Sequence, residues 1–166
     1  SINRLTSHTL IGQGVSVSAS DVEVTANSET SARAALLGVN GGAVAAGAGV
    51  AIAIDEANIY TYIGATPKGE AVAGSAPGNK GTVQATDGVG VRNTISSHAE
   101  PLILAVSGGA VAASVNVLLA FNRSDAVAAI HQVNVSAGGD IAVEATLADA
   151  LAKADLYHAG AGAIAA

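Results

Sequence analysis

The residues that could do chemistry in this chain are few, and their spacing argues against catalysis. Asp55 and Glu56 form an adjacent carboxylate pair, which could support general acid–base catalysis if both faced one substrate. Neighbouring residues of a β-strand point to opposite faces, so this pair cannot share a proton-transfer task. No serine stands in the Gly-x-Ser-x-Gly pattern of a nucleophile elbow. We therefore predict no catalytic residue and no enzyme activity.

The candidate metal and cofactor residues are equally isolated. The triplet Gly138-Gly139-Asp140 is similar to part of the calcium-binding nonapeptide repeat, but that site needs tandem copies and the triplet occurs once. It is better interpreted as a tight turn. The histidines lack a second ligand at metal spacing and do not occupy equivalent repeat positions. They are His8, His98, His131 and His158. With no cysteine in the chain, the sequence predicts neither a metal site nor a cofactor.

The composition favours a thin core of small side chains. Half of the residues are hydrophobic, yet only 2% are aromatic, and Trp, Met and Cys are absent. Such a core suits closely stacked sheets better than a thick enzyme interior. The seven basic residues are dispersed and the net charge is −6, which leaves no surface for nucleic acid or anionic lipid. The longest apolar stretch, 41–54, is too short and too rich in glycine for a spanning helix, so we predict a chain that is not transmembrane.

Three landmarks recur along the chain in fixed order and define a repeat. The first is an apolar residue, a polar pair and an isoleucine nine positions further on, and it begins at Ile2, Ile54 and Phe121. The second landmark occupies 20–24, 87–91 and 139–143, and the third occupies 41–46, 108–113 and 161–166. Because Ile54 lies 52 residues after Ile2 and Phe121 lies 67 after Ile54, the unit is about 52 residues and one copy carries an insertion.

The composition places this insertion at about 66–81. This stretch contains Pro67, Pro77 and several glycines, which favour a surface loop. Insertions between the strands of a repeat are tolerated because loop-closure entropy grows slowly with length. Both ends of the chain fall within a repeat, so we expect the natural molecule to continue beyond each of them.

Apolar and polar residues alternate with period two through much of each unit, which predicts strands. We therefore predict an all-β fold in which residues 1–166 form a single β-solenoid segment, a right-handed parallel β-helix with about two coils per unit. Residues 146–156 have helical propensity, but the equivalent stretch of the second copy contains Pro101, so we interpret all copies as strand.

The polar residue of the first landmark has two possible roles. Asn3, Asp55 and Asn122 occupy equivalent positions and could form a column of side chains that hydrogen-bond from one repeat to the next. They could instead be solvated residues of a polar turn. The sequence alone leaves both interpretations open.

Several segments resemble the repeats of filamentous-haemagglutinin-like and leukotoxin-like exoproteins, the large passengers of type V secretion in Gram-negative bacteria. The resemblance is carried by VSAGGDIAVEA at 135–145, GAGVAIA at 47–53 and YTYIG at 60–64. It implies a secreted, cell-surface β-helical fibre used in adhesion, and it transfers no functional residue.

We therefore expect a non-enzymatic fibre or stalk segment of a secreted bacterial surface adhesin. Its expected partners are neighbouring repeats or like chains joined end to end, together with a host-surface or cell-surface receptor that the sequence does not identify. One alternative is a self-assembling extracellular filament subunit. A second is a carbohydrate-active β-helix protein, which would require a cleft of carboxylates and aromatic side chains that this composition hardly supplies.

Overall fold

The structure, a computed structural model, describes residues 1–66, 78–162 and 164–165, the last pair by backbone alone. The described residues form an all-β protein, as the alternating sequence pattern predicts. Its strands are β1 (Ile2–Gly12), β2 (Ser16–Ala19), β3 (Val22–Gly41), β4 (Val44–Gly64), β5 (Gly81–Ala85), β6 (Val89–Gly108), β7 (Val111–His131), β8 (Val133–Ala137), β9 (Ile141–Ala152), β10 (Asp155–Ala161) and β11 (Ile164–Ala165). No helix in this described part is long and apolar enough to cross a membrane.

The strands form three parallel sheets that the chain visits in rotation. Sheet A has the order β1-β4-β7-β11, and sheet B has the order β2-β5-β8. In sheet C, β6 pairs with β3 on one side and with both β9 and β10 on the other. The chain therefore returns to each sheet only after crossing the other two. We call one such passage through the three sheets a layer.

The register of the sheets places the sequence landmarks directly beside one another. Equivalent landmark residues pair in all three sets, namely Ile2–Ile54–Phe121 in sheet A, Val22–Val89–Ile141 in sheet C and Val44–Val111–Ile164 in sheet A. Residues 52 or 67 positions apart in the chain thus become hydrogen-bonded neighbours. The alignment made from sequence agrees with the register at each of these positions.

The expectation of about two coils per unit is wrong, because one unit supplies a single layer. The reason is strand length: β3 and β6 each span 20 residues, and β4 and β7 each span 21. Period-two alternation indicates a strand but does not show where a long strand stops. The long strands leave each unit enough residues for only one passage.

The segment with helical propensity is strand. Residues 146–152 lie in β9 and residues 155–156 in β10, both paired with β6, and residues 153–154 connect the two strands. Within β9, Leu147 pairs with Ile95 but Asp149 pairs with Ser96, so Ala148 forms a β-bulge. This bulge accounts for the one extra residue between the second and third landmarks of the last copy.

The insertion lies in the connection from β4 to β5. This connection covers residues 65–80, whereas the corresponding connections cover residues 13–15 and residue 132 alone. The predicted surface loop at 66–81 falls largely on residues 67–77, which lie outside the described residues.

Sheets A and C face each other across a thin layer of small side chains, and sheet B closes one end. At the centre, Ala53 of sheet A packs against Ala32 and Ala99 of sheet C. The end closed by sheet B holds a larger branched cluster of Val22, Val24, Ile63, Val83, Val89 and Val91. The sequence-based expectation of a thin, small-residue core agrees with this packing.

Candidate functional site

A column of polar side chains crosses the interior of sheet A. Asn3 of β1 pairs with Asp55 of β4, and Asp55 pairs with Asn122 of β7. All three stand inside strands, so the polar-turn interpretation is wrong. Asp55 is fully buried. The predicted column of hydrogen bonds forms directly between Asn3 and Asp55, whereas Asn122 is linked to Asp55 only through Ser97.

The Asp55 carboxylate accepts hydrogen bonds from both facing sheets. Asn3 donates its Nδ2 proton to Oδ1 over 2.8 Å. Thr30 and Ser97, which belong to sheet C, each place a hydroxyl 2.7 Å from Oδ2. Hydrogen bonds to an ionised acceptor are about twice as strong as neutral ones, so this one side chain ties the two sheets together.

The network continues into the next layer through Ser97 and Asn122. Asn122 donates its Nδ2 protons to the backbone carbonyls of Ser97 and, over 3.3 Å, Leu151. The Ser97 hydroxyl also lies 2.9 Å from Asn122 Oδ1, while Ser124 donates to the Ser97 oxygen over 2.8 Å. A hydroxyl has only one proton to donate, and the carboxylate of Asp55 is the stronger acceptor for that of Ser97.

The two adjacent carboxylates, Asp55 and Glu56, have separate surroundings. The carboxylate of Asp55 is enclosed by three donors, and its chain neighbour Glu56 points to the opposite face. There Glu56 pairs with Arg4 over 2.8 Å and with Arg123 over 3.7 Å. The adjacent carboxylates are thus separated by the sheet, as strand geometry predicts.

A second inward amide also joins the facing sheets. Asn93 of sheet C donates its Nδ2 protons to the backbone carbonyls of Ile59 and Val127 in sheet A, over 2.6 and 3.3 Å. Sequence analysis missed Thr30, Ser97 and Asn93. A signal was present, because each occupies an inward position in the alternation of its strand, where an apolar residue is the usual choice.

The other candidate residues are dispersed. The triplet Gly138-Gly139-Asp140 connects β8 to β9. The N–H groups of its two glycines donate hydrogen bonds to the carbonyls of Ala85 and Asp87 in the turn of the neighbouring layer. His8 stacks on Tyr60 with ring centroids 4.9 Å apart. Within 1–66, 78–162 and 164–165, no three His, Asp or Glu side chains gather into a group that could hold a metal ion.

His98 has a raised pKa, which offers a test of the outer face of sheet C. Its Nε2 lies 2.9 Å from Asp149 Oδ2, and this hydrogen bond is the main cause that raises the pKa above 6.5. Desolvation opposes the rise, while the negative charges of Asp149, Glu100 and Glu29 add to it. Because the pKa is raised on folding, the resulting stabilisation is present below about pH 6.5 and is lost as pH rises through the folded value.

We expect a proton NMR titration to give His98 a pKa above 6.5, and we expect Asp149→Asn to lower it. The His98→Gln spectrum assigns the signal. Glu144, on the same strand as Asp149, has an exposed carboxylate that contacts Arg92 and not His98. Glu144→Gln should therefore leave the pKa of His98 unchanged. A His98 pKa that does not respond to Asp149→Asn would show that this hydrogen bond does not form in solution.

Comparisons with models of protein families, with curated proteins and with solved structures give no match to this chain.

Proposed function

We propose that this chain is a structural segment of the fibre or stalk of a secreted bacterial surface adhesin. In this proposal each layer is one coil of a parallel β-helix, right-handed as parallel crossovers almost always are, with a repeat of about 52 residues. The observation that carries the proposal is the register, in which Ile2, Ile54 and Phe121 pair in succession. The secreted, surface-exposed location rests on the resemblance of the repeats to those of type V exoproteins.

The mechanical role follows from the direction of the hydrogen bonds. The bonds between neighbouring strands of a parallel sheet run across the strands, and therefore along the stack of layers. A pull along the stack loads all the bonds between two layers together, including those of two strands of about 20 residues. The Asp55 network couples the facing sheets, so neither sheet bears the load alone.

The stack can be extended at its edge strands. In the last layer, Ile141 pairs with Val89 on one side and its side chain is 51% exposed at the open cross-section. Leu147 and Leu156 of the same layer are also exposed large hydrophobic residues. Open edges of this kind are templates for further strands. The proposed partners are accordingly neighbouring repeats or like chains added end to end.

This proposal is tested by blocking the open cross-section. We expect the average mass of the chain to rise with concentration in sedimentation and light-scattering measurements. Ile141→Lys places a charge where another layer would stack, and it should keep the chain monomeric. The control Ala142→Lys adds the same charge at the next residue, which points away from the core, and should associate like the wild type.

Two outcomes would contradict the proposal. One is a wild-type chain that stays monomeric at the highest concentration at which it remains in solution. The other is equal association of Ile141→Lys and wild type, which would place the contact elsewhere. The alternative of a self-assembling filament subunit rests on the same open edges. Electron micrographs showing unlimited filaments of the chain alone would favour that alternative, whereas short oligomers favour a segment of a longer fibre.

A further inference from the structure

One end of each layer carries no formal charge. No Asp, Glu, Lys or Arg occurs in 34–54 or in 101–121. These stretches run down the end of sheet C, around the β3–β4 and β6–β7 turns, and back along sheet A. We call these two stretches, together with residues 156–162 of the last layer, the blade.

The blade has its polarity reversed relative to an ordinary water-exposed sheet. Its outward side chains are apolar and open, with Val39 73% exposed on sheet C and Val50 and Val115 61% and 70% exposed on sheet A. Its polar side chains point inward instead. Gly49 is at an inward position of β4, and a methyl group added there would lie 2.7 Å from Asn116 Oδ1, so the Asn116 side chain points inward. Ser107 is buried. A sheet with one face in water places its polar residues on that face.

Ion-paired residues mark the limit of the blade on both outer faces. On sheet A the limit is the row of Arg4, Glu56 and Arg123. On sheet C, Arg33 pairs with Glu100 over 3.1 Å, and Lys153 pairs with Asp155 over 2.8 Å. The charge-free surface is therefore a bounded patch on each face of the molecule.

Aromatic side chains stand at these limits. Phe121 lies beside Arg123 on sheet A, with the guanidinium 5.9 Å from the ring centroid. Tyr157, which is exposed, follows Asp155 on sheet C. These two rings accompany the ion-paired rows at the limit of the charge-free patch.

The area of the blade argues for one occupant that covers both faces. Six to eleven residues along each strand, with three strands across on sheet C and two on sheet A, give on the order of 350 Å² per face. A stable protein interface takes about 800 Å² from each partner, so a second copy on one face would be a weak fit. A bilayer, in contrast, contacts both faces and the tip together.

The turns at the tip are compatible with apolar surroundings. The N–H groups of Gly42 and Gly109 donate to the carbonyls of Gly108 and Ala161 in the next layer, over 3.2 and 3.0 Å. The N–H of Val111 donates to the carbonyl of Ala43 over 3.1 Å. An element that enters lipid must satisfy its backbone donors within the protein, and these stacked turns do so.

We propose that the blade inserts, tip first, into the interfacial region of a lipid bilayer. The two turns and the apolar side chains next to them on both faces enter the acyl boundary. The ion-paired rows lie roughly 26–36 Å from the tip along the strands and stay outside the membrane. Insertion stays shallow, because the outermost strands of the stack carry open backbone groups that lipid cannot satisfy. With a net charge of −6 the attraction is apolar, so zwitterionic lipid is the preferred surface. The proposal is independent of the fibre function, since it does not require layers to join end to end.

The absence of tryptophan from the chain allows single reporters. Val115→Trp and Val39→Trp place a fluorophore on each face of the blade, and Thr6→Trp places one on sheet A outside it. With phosphatidylcholine vesicles, we expect the emission of both blade reporters to shift to the blue and to be quenched by brominated lipid. The Thr6→Trp emission should not change.

Charge substitutions give the second measurement. Val115→Asp and Val39→Asp should each weaken co-sedimentation with phosphatidylcholine vesicles about tenfold. Thr6→Asp should leave it unchanged, and circular dichroism confirms that each variant is folded. The proposal is overturned if the blade reporters shift on raising protein concentration without vesicles, which would identify a second copy as the occupant. It is also overturned if only one face responds, or if binding requires phosphatidylglycerol and disappears in salt.

Discussion

Replacing Asp55 with alanine is expected to lower the free energy of unfolding by about 3 kcal/mol or more. The substitution leaves the amide of Asn3 and the hydroxyls of Thr30 and Ser97 in the interior without their shared acceptor. It also leaves a cavity where the carboxylate packs. Urea unfolding followed by circular dichroism measures the change, with the slope of the transition serving as a check on two-state behaviour.

Two variants serve as controls for this prediction. Asp55→Asn keeps an oxygen at a position where the neighbouring layers already carry Asn3 and Asn122, and it should cost clearly less. Glu56→Ala removes a carboxylate from the opposite face, where ion pairs with Arg4 and Arg123 are worth about 1 kcal/mol or less. Equal losses for Asp55→Ala and Glu56→Ala would show that the buried network does not stabilise the fold.

Gly64→Ala is expected to lower the free energy of unfolding by about 2–4 kcal/mol. Gly64 ends β4 with a φ of 97°, a conformation that L-residues with a side chain rarely adopt. An added methyl group would also overlap the carbonyl oxygen of His131 in the next layer. That oxygen accepts a hydrogen bond from the N–H of Ala65 over 2.8 Å, so relief of the overlap would disturb the bond between the layers.

Gly38→Ala is the matched control. It lies within β3, and no atom stands within 4 Å of the added methyl group. Its effect on the free energy of unfolding should stay within about 0.5 kcal/mol, and thermal and urea unfolding of both variants give the comparison. A Gly64→Ala chain as stable as the wild type would mean that the β4–β5 connection adopts another backbone path.

The parallel pairing could be predicted from the sequence because equivalent residues of successive repeat units lie side by side in the sheets. Ile2, Ile54 and Phe121 recur as landmarks, and they pair in the sheets for the same reason. The number of coils per repeat unit could not be predicted from the sequence. The alternation of inward and outward residues continues through the centres of β3 and β4, so it does not separate one strand of 20 residues from two shorter ones.

The polar network was predictable only along one sheet. The column of Asn3, Asp55 and Asn122 follows from their equivalent positions in the repeat. Its partners Thr30 and Ser97 stand on the facing sheet, 25 and 42 residues from Asp55 in the chain. Which residues face each other across the core depends on the route through all three sheets, and a repeat period does not contain that information.

The buried column also bears on how the chain finds its correct pairing during folding. A slip of one residue would turn every side chain to the wrong face, but a slip of two residues preserves the alternation. In strands rich in alanine and valine, such an error would change the packing of the core very little. A slip of β1 against β4 would, however, place Asp55 opposite Ser1 or Leu5 and remove the Nδ2 donor of Asn3, at a cost in free energy. The buried carboxylate therefore favours the correct register of neighbouring strands over a register shifted by two residues.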